Sequence, residues 1–145
     1  MDLLTQWDPS ANVGDWVVAN GDLVMDASLR TPVLLSLATD ALAPASDAPG
    51  GDRRGHWSGD KGSLLWLHRR AKATQETRRR AELAARDALA WMRAAGIAAS
   101  IDVAGTLAFV DGTARLTLAI GINRRGAGQV VSRVYDTDWQ ITLAA

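Results

Sequence analysis

Cysteine is absent from the 145 residues, which excludes disulfide frameworks, thiolate metal sites, iron–sulfur clusters and cysteine nucleophiles together. Histidine occurs only as His56 and His68, with no carboxylate at a recognised ligand spacing from either. A zinc site takes three or four protein ligands, so neither a metal nor a cofactor is expected. No stretch approaches the ~18 consecutive apolar residues of a membrane span. The opening Met1-Asp2-Leu3-Leu4 carries an acid where a secretory signal needs bases, so a soluble chain made in the cytoplasm is expected. Glutamate is confined to Glu76 and Glu82. There is no Gly-x-Ser-x-Gly elbow, and Lys61-Gly62-Ser63 lacks the upstream glycine and preceding strand of a phosphate loop.

The charge of one sign is missing too: sixteen basic residues balance sixteen acidic ones, so no whole-body field attracts nucleic acid or an anionic membrane. A charged partner has to be met by a local patch. The chain fits one domain, residues 1–145, long enough to bury ~68–70% of its unfolded surface. Its unusual abundance is six Trp beside a single Tyr and a single Phe.

The pattern predicts an α+β fold: an N-terminal β-hairpin, short buried helices, and one long amphipathic helix packed on a C-terminal antiparallel sheet. Asn20-Gly21, between runs rich in Val and Leu, supplies the positive φ angles of a type I′ turn. Thr31 as N-cap and Pro32 at the first helical position open a short apolar helix. Residues 41–62 then gather Pro44, Pro49 and five glycines without periodicity, and mobility is expected over about 41–51. Ser63 to Arg70 reads as a short helix. From Thr74 to Ala95, ahead of Gly96, Ala81, Ala84, Ala85, Ala88, Leu89, Trp91, Met92 and Ala95 form one stripe. Glu76–Arg80 and Glu82–Arg86 are helix pairs expected to be solvated. Ile101, Val103, Leu107 and Phe109 alternate, Asp111-Gly112 turns the chain, and Leu116, Leu118, Ile120 and Ile122 alternate again. A Gly-rich turn at 124–128 leads to a last strand, about Val130 to Leu143.

Chemistry is concentrated in Asp52-Arg53-Arg54-Gly55-His56-Trp57-Ser58-Gly59-Asp60. Asp52 and Asp60 form a conceivable carboxylate pair, but beside two arginines ion pairing is expected rather than the raised pKa of a general acid. Trp57 has no helical or strand periodicity to explain it and is the candidate anchor for a partner. Trp66 and Trp91 are expected in the core, whereas Trp7, Trp16 and Trp139 lie where exposure before assembly is expected. The basic run His68-Arg69-Arg70-Ala71-Lys72 with Arg78-Arg79-Arg80 is the best case for nucleic acid. Without interleaved aromatics it ranks below a solvated face or an acidic protein partner.

Trp7-Asp8, Gly14-Asp15-Trp16, Gly21-Asp22-Leu23, Leu29-x-Thr31, Ser36-Leu37, Gly51-Asp52-Arg53-Arg54-Gly55-His56-Trp57, Gly59-Asp60, Gly62-Ser63-x-Leu65-Trp66-Leu67 and Ala88-Leu89-Ala90-Trp91 follow one another in the chain. In that order they resemble the small baseplate protein of Mu-like contractile phages, itself similar to sheath-initiator, or lysozyme-like wedge, proteins. The resemblance runs from about residue 7 to 95. It implies a non-enzymatic wedge subunit of the virion tail baseplate, with wedge and spike-hub proteins and the tail sheath subunit as partners. The residues expected to carry protein contacts are Asp52, Arg53, Arg54, Trp57, Asp60 and Trp139. No proline stands beside Asp52-Arg53-Arg54, unlike the acidic-Pro-Arg contact motif of the broader family, and His56 stands where relatives often carry a second Trp. By the same resemblance the last strand is the edge offered to a sheath arm. The competing enzymatic reading is a peptidoglycan hydrolase using Asp52 and Asp60.

Overall fold

The computed structural model describes residues 2–8, 10–11, 13–48, 50–69, 71–125 and 131–144. It is an α+β fold, as expected. The chain begins with six short strands: β1 (Asp2–Leu3), β2 (Thr5–Asp8), β3 (Val13–Trp16), β4 (Val18–Ala19), β5 (Asp22–Leu23) and β6 (Met25–Asp26). They pair as three two-stranded antiparallel ladders, β1 with β6, β2 with β3, and β4 with β5. The last ladder is the Asn-Gly hairpin, with Asn20 at φ 52° and Gly21 at φ 81°. At the point where the ladders meet, three backbone bonds close a ring. Val17 N donates to Leu4 O at 2.9 Å, Leu4 N to Val24 O at 2.8 Å, and Val24 N to Val17 O at 2.9 Å. An isolated two-stranded ladder is marginal in water, so each of these depends on the shared junction.

Helix α1 (Arg30–Ala38) follows, and here the structure corrects the expected cap. Leu29 is the N-cap residue, without a side-chain cap bond. Thr31 lies inside the first turn, where its buried hydroxyl accepts from Thr5 N at 3.0 Å and donates to Leu3 O at 2.7 Å. The hydroxyl thus ties the helix to the strand junction instead of capping it. Pro32 is tolerated because the first-turn N–H groups have no helical acceptor.

A long connection leads to a 3₁₀ helix (Leu64–His68), capped by Ser63, whose hydroxyl accepts from Leu65 N and donates to Leu37 O. Helix α2 (Gln75–Ala94) is capped by Thr74 and followed by Gly96 at φ 72°. Strands β7 (Ser100–Val110), β8 (Thr113–Arg125) and β9 (Val131–Leu143) make the antiparallel sheet in the order β7-β8-β9. Asp111 and Gly112, at φ 50° and 74°, make the expected turn between the first two. The expected Gly-rich turn falls largely outside the described residues, as does Val130.

Strand β8 supplies one face of the core: Ala114, Leu116, Leu118, Ile120 and Ile122 are all buried, two residues apart. Against it lie Thr77, Ala81, Ala84, Ala85, Leu89 and Met92 of α2, with Val33 and Leu37 of α1. Trp91 does not join them. It is 45% exposed, and its indole N–H donates to Ser36 Oγ at 3.0 Å across the seam between α1 and α2.

Glu82 also departs from expectation. Instead of a solvated pair with Arg86, its carboxylate accepts Arg78 Nη1 at 2.5 Å and the backbone N–H of Gly105 at 2.7 Å. Arg86 reaches past it to Val103 O at 2.7 Å. Both backbone groups belong to β7, so α2 occupies hydrogen-bonding positions along that sheet edge. On the outer face, Arg133 crosses over Gly121 to reach Asp102 at 2.9 Å.

Gly62 and Gly112 separate two reasons for glycine. Both have positive φ, but a β-carbon on Gly62 runs into the Thr39 carbonyl, whereas one on Gly112 meets open space. Gly62→Ala is expected to lower unfolding free energy by roughly 2 kcal/mol or more, against about 1 kcal/mol for Gly112→Ala. Equal losses in urea titrations would assign both to backbone dihedral alone.

Candidate functional site: a braced strap with an exposed tryptophan

Residues 40–63 leave the end of α1 and return to the 3₁₀ helix as a strap. Its two ends are held side by side: Ala41 N donates to Ser63 O at 3.0 Å and Ser63 N to Thr39 O at 2.8 Å. Further out, Ala43 N donates to Arg53 O at 3.0 Å, and Arg53 Nε returns to Ala43 O at 2.7 Å. Ala43, near the start of the segment expected to be mobile, is fully buried. Gly55, at φ 111°, lets the returning arm press on Leu42, since a β-carbon there lies 2.8 Å from Leu42 Cβ.

Arg54 is the centre of the brace. Its Nη1 meets Asp40 Oδ2 at 3.0 Å, its Nε lies 3.7 Å from Asp52 Oδ2, and its guanidinium carbon sits 4.8 Å from the centre of the Trp66 ring. Trp66 is therefore half-buried under a cation rather than in the core, with its indole N–H donating to Ala41 O at 2.9 Å. Arg54 itself has φ 48°, a strained angle for a residue with a β-carbon. A flat guanidinium that stacks while bonding sideways suits this position, as a lysine ammonium does not.

Beyond the brace, His56 Nδ1 and Ser58 Oγ are 2.7 Å apart, and Ser58 donates to Asp60 Oδ1 at 2.6 Å. The expected arginine pairing of Asp60 is not what is found: the Ser58 hydroxyl holds its exposed carboxyl below the usual value. A carboxyl stabilised in its ionised form is the opposite of a general acid poised near neutrality. At the tip, Trp57 is 91% exposed, in tilted contact with His56 at 5.2 Å between ring centres.

The structure thus brings Asp52, Arg53, Arg54, Trp57 and Asp60 into one loop and places Trp139 elsewhere. Trp139 is half-buried on β9 and stacks on Trp7 of β2, 5.7 Å between centres, which fastens the strand junction to the sheet. Sequence reasoning missed Asp40, Leu42, Ala43 and Trp66 as braces. Gly55 and Gly62 were the available signal, marking where the strap touches other backbone. In the basic run, Arg78 and Arg80 are paired with Glu82 and Glu76. Among the described residues no three metal-ligating side chains cluster, and no helix is long and apolar enough to cross a membrane.

Arg54→Ala is expected to raise the rate of chymotrypsin cleavage after Trp57 several-fold while costing the fold no more than ~1 kcal/mol, because the ion pairs are partly exposed. Unchanged cleavage would remove the brace. A second expectation concerns pH. Burial and then the Arg80 charge hold the His68 imidazole below its ordinary 6.5, against a smaller opposite pull from Asp47. As pH falls below 6.5 the unfolded chain takes up a proton that the folded chain resists, so stability drops; above it the effect vanishes. Urea midpoints at pH 7.5 and 5.5 should differ less for His68→Gln than for the parent.

Residues 29–129 match the family model described as phage protein GP46. The chain is 44% identical over 99 residues to the baseplate protein gp46 of Escherichia phage Mu, a match covering 62% of this chain and 68% of that protein. It is 35% identical over 97 residues to the Mu-like prophage FluMu protein gp46 of Haemophilus influenzae, covering 62% of this chain and 66% of that one. The chain spans about two thirds of the length of each relative. No solved structure matches it. With the strap, both helices and two strands of the sheet inside the matched region, this chain belongs to the GP46 family of phage proteins.

Proposed function

We propose that this chain is a structural, non-enzymatic subunit of a contractile phage tail baseplate, placed in the wedge and joined to its neighbours by protein contacts. The observation that carries the reading is Trp57, almost fully exposed at the tip of a strap whose base is fixed by Arg54. A large aromatic held out on a pre-ordered loop loses little entropy on docking, which is what an interface anchor requires. The partners are wedge and spike-hub proteins, and the site of action is the virion tail baseplate, in keeping with the name of the Mu relative.

Sheath initiation belongs to the same proposal. Helix α2 occupies backbone positions of β7, whereas among the described residues no named strand pairs with the outer edge of β9, and only its end is held, where Ala144 N donates to Ala71 O at 2.9 Å. An unpaired strand edge is a template for an added strand. That edge is the place for an extended arm of the sheath subunit.

In a phage or prophage carrying the gene, Trp57→Ala with Arg54→Ala should leave a folded chain in the lysate but few or no assembled baseplates by electron microscopy. Normal yields of tails would take the strap out of assembly. The purified chain should clear no peptidoglycan, and clearing abolished by Asp52→Asn would turn the reading towards a hydrolase.

A further inference from the structure

The family match begins at Leu29, just after the strand junction of residues 2–26. That junction leaves several large apolar side chains exposed among the described residues: Val13 55%, Trp16 59%, Val18 63%, Leu23 40% and Met25 52%. Trp7, Val13, Trp16 and Val18 line an open concavity of about 710 Å³, together with Asp8 and Asp15. Residues 1–29 carry five aspartates, at 2, 8, 15, 22 and 26, and no base, so this stretch has a charge of −5. As the whole chain is neutral, residues 30–145 carry +5.

The complementary surface is on the same chain. Helix α2 packs against β7, the 3₁₀ helix and α1, and turns Arg79, Leu83, Ala90 and Arg93 outward, with Arg86 between them on the same face but its guanidinium already bonded to Val103 O. Their spacing of four and three places them on one face. Leu83 is 57% exposed in the middle of it. One surface is an open concavity lined by apolar side chains together with Gln6, Asp8 and Asp15. The other is a helix face on which exposed Leu83 lies between Arg79 and Arg93, with Asp87 one turn on from Leu83.

We infer that the acidic, apolar concavity of the strand junction takes the outward face of α2 from a second copy of this chain, in a head-to-tail contact. Both surfaces are exposed in one copy, so they do not cover each other within it. The helix lies in the groove with Leu83 against Trp16 and Val18, and arginines face Asp8 and Asp15. Because the two surfaces differ, the contact leaves one of each free at the ends. Copies therefore add until a ring closes or a filament grows.

Sedimentation of the full chain over a concentration series at low and high salt tests this. Association that rises with concentration and weakens with salt is expected. Trp16→Glu and Leu83→Glu should each weaken it by roughly tenfold or more. Mixed together, the two variants should form a pair of one copy each and stop, because the mixture retains one intact groove and one intact helix face. Circular dichroism and a urea midpoint check folding. If Trp16→Glu disturbs the strands, Asp15→Lys, at an exposed position, replaces it. A chain that stays monomeric at low salt overturns the inference and leaves the groove to a different, basic protein. Association that survives Leu83→Glu, or that only one variant affects, overturns it as well. Baseplate failure of the Trp57 variant is independent of all these outcomes.

Discussion

Helix α2 can lie across the sheet because its contact face is small. Ala81 and Ala85 are fully buried there, and Gly105 on β7 has no β-carbon to collide with Arg78 and Glu82. This close approach brings the Glu82 carboxylate onto the Gly105 N–H and the Arg86 guanidinium onto the Val103 carbonyl. An exposed sheet edge invites foreign strands, and here side chains from a helix occupy two of its backbone positions with groups of the correct polarity. The same contact seats Leu89 and Met92 on Leu116, Leu118, Ile120 and Ile122. It thereby fixes the core and places α1 and the 3₁₀ helix on the flanks of α2.

From that frame the strap follows. Its ends leave α1 and enter the 3₁₀ helix, both packed on α2, so the Thr39–Ser63 bonding is set by the core and not by the strap itself. Arg54 then ties the loop to its base. Two carboxylates, one aromatic face and a positive φ hold a single side chain in place, and what projects beyond it is His56 and Trp57. Each ion pair is partly exposed and weak alone. The stacking on Trp66 and the bond from its indole N–H to Ala41 O make the arrangement cooperative.

Local signals were legible in the sequence. Asn20-Gly21 and Asp111-Gly112 need positive φ, and they turn where expected; the alternation from Leu116 to Ile122 faces the core as written. Errors arose wherever a residue's partner is distant in sequence. Thr31 has the composition of a cap but bonds Leu3 and Thr5, 28 and 26 residues away. Glu82 has an arginine four residues on either side, and spacing alone could not choose Arg78 or reveal Gly105. The strap stood out because its glycines, arginines and Trp57 share no periodicity. Its brace did not, because Asp40 and Trp66 are placed by the packing of α1 and the 3₁₀ helix. Ladders β1–β6 and β2–β3 were missed for a related reason: strands of two to four residues are too short to show a period.

The tryptophans show how stability and recognition are divided. None of the six is in the buried core, which is built from Ala, Leu, Ile, Val and Met. Trp91 spans the seam between the helices, Trp66 the seam under the strap, and Trp7 with Trp139 the seam between strand junction and sheet. In each case the flat ring joins two elements, and in the first two the indole N–H fixes the angle between them. Trp57 and Trp16 have no second element to join. Covering an indole is worth on the order of 4–6 kcal/mol before the costs of association, from ~150–250 Å² at ~25 cal/mol per Å². In the other four this energy is partly used within the chain, whereas in Trp57 and Trp16 most of it is still available to a contact with another molecule. An assembly subunit needs that separation: a core that folds without its neighbours, and large rings held where neighbours can cover them.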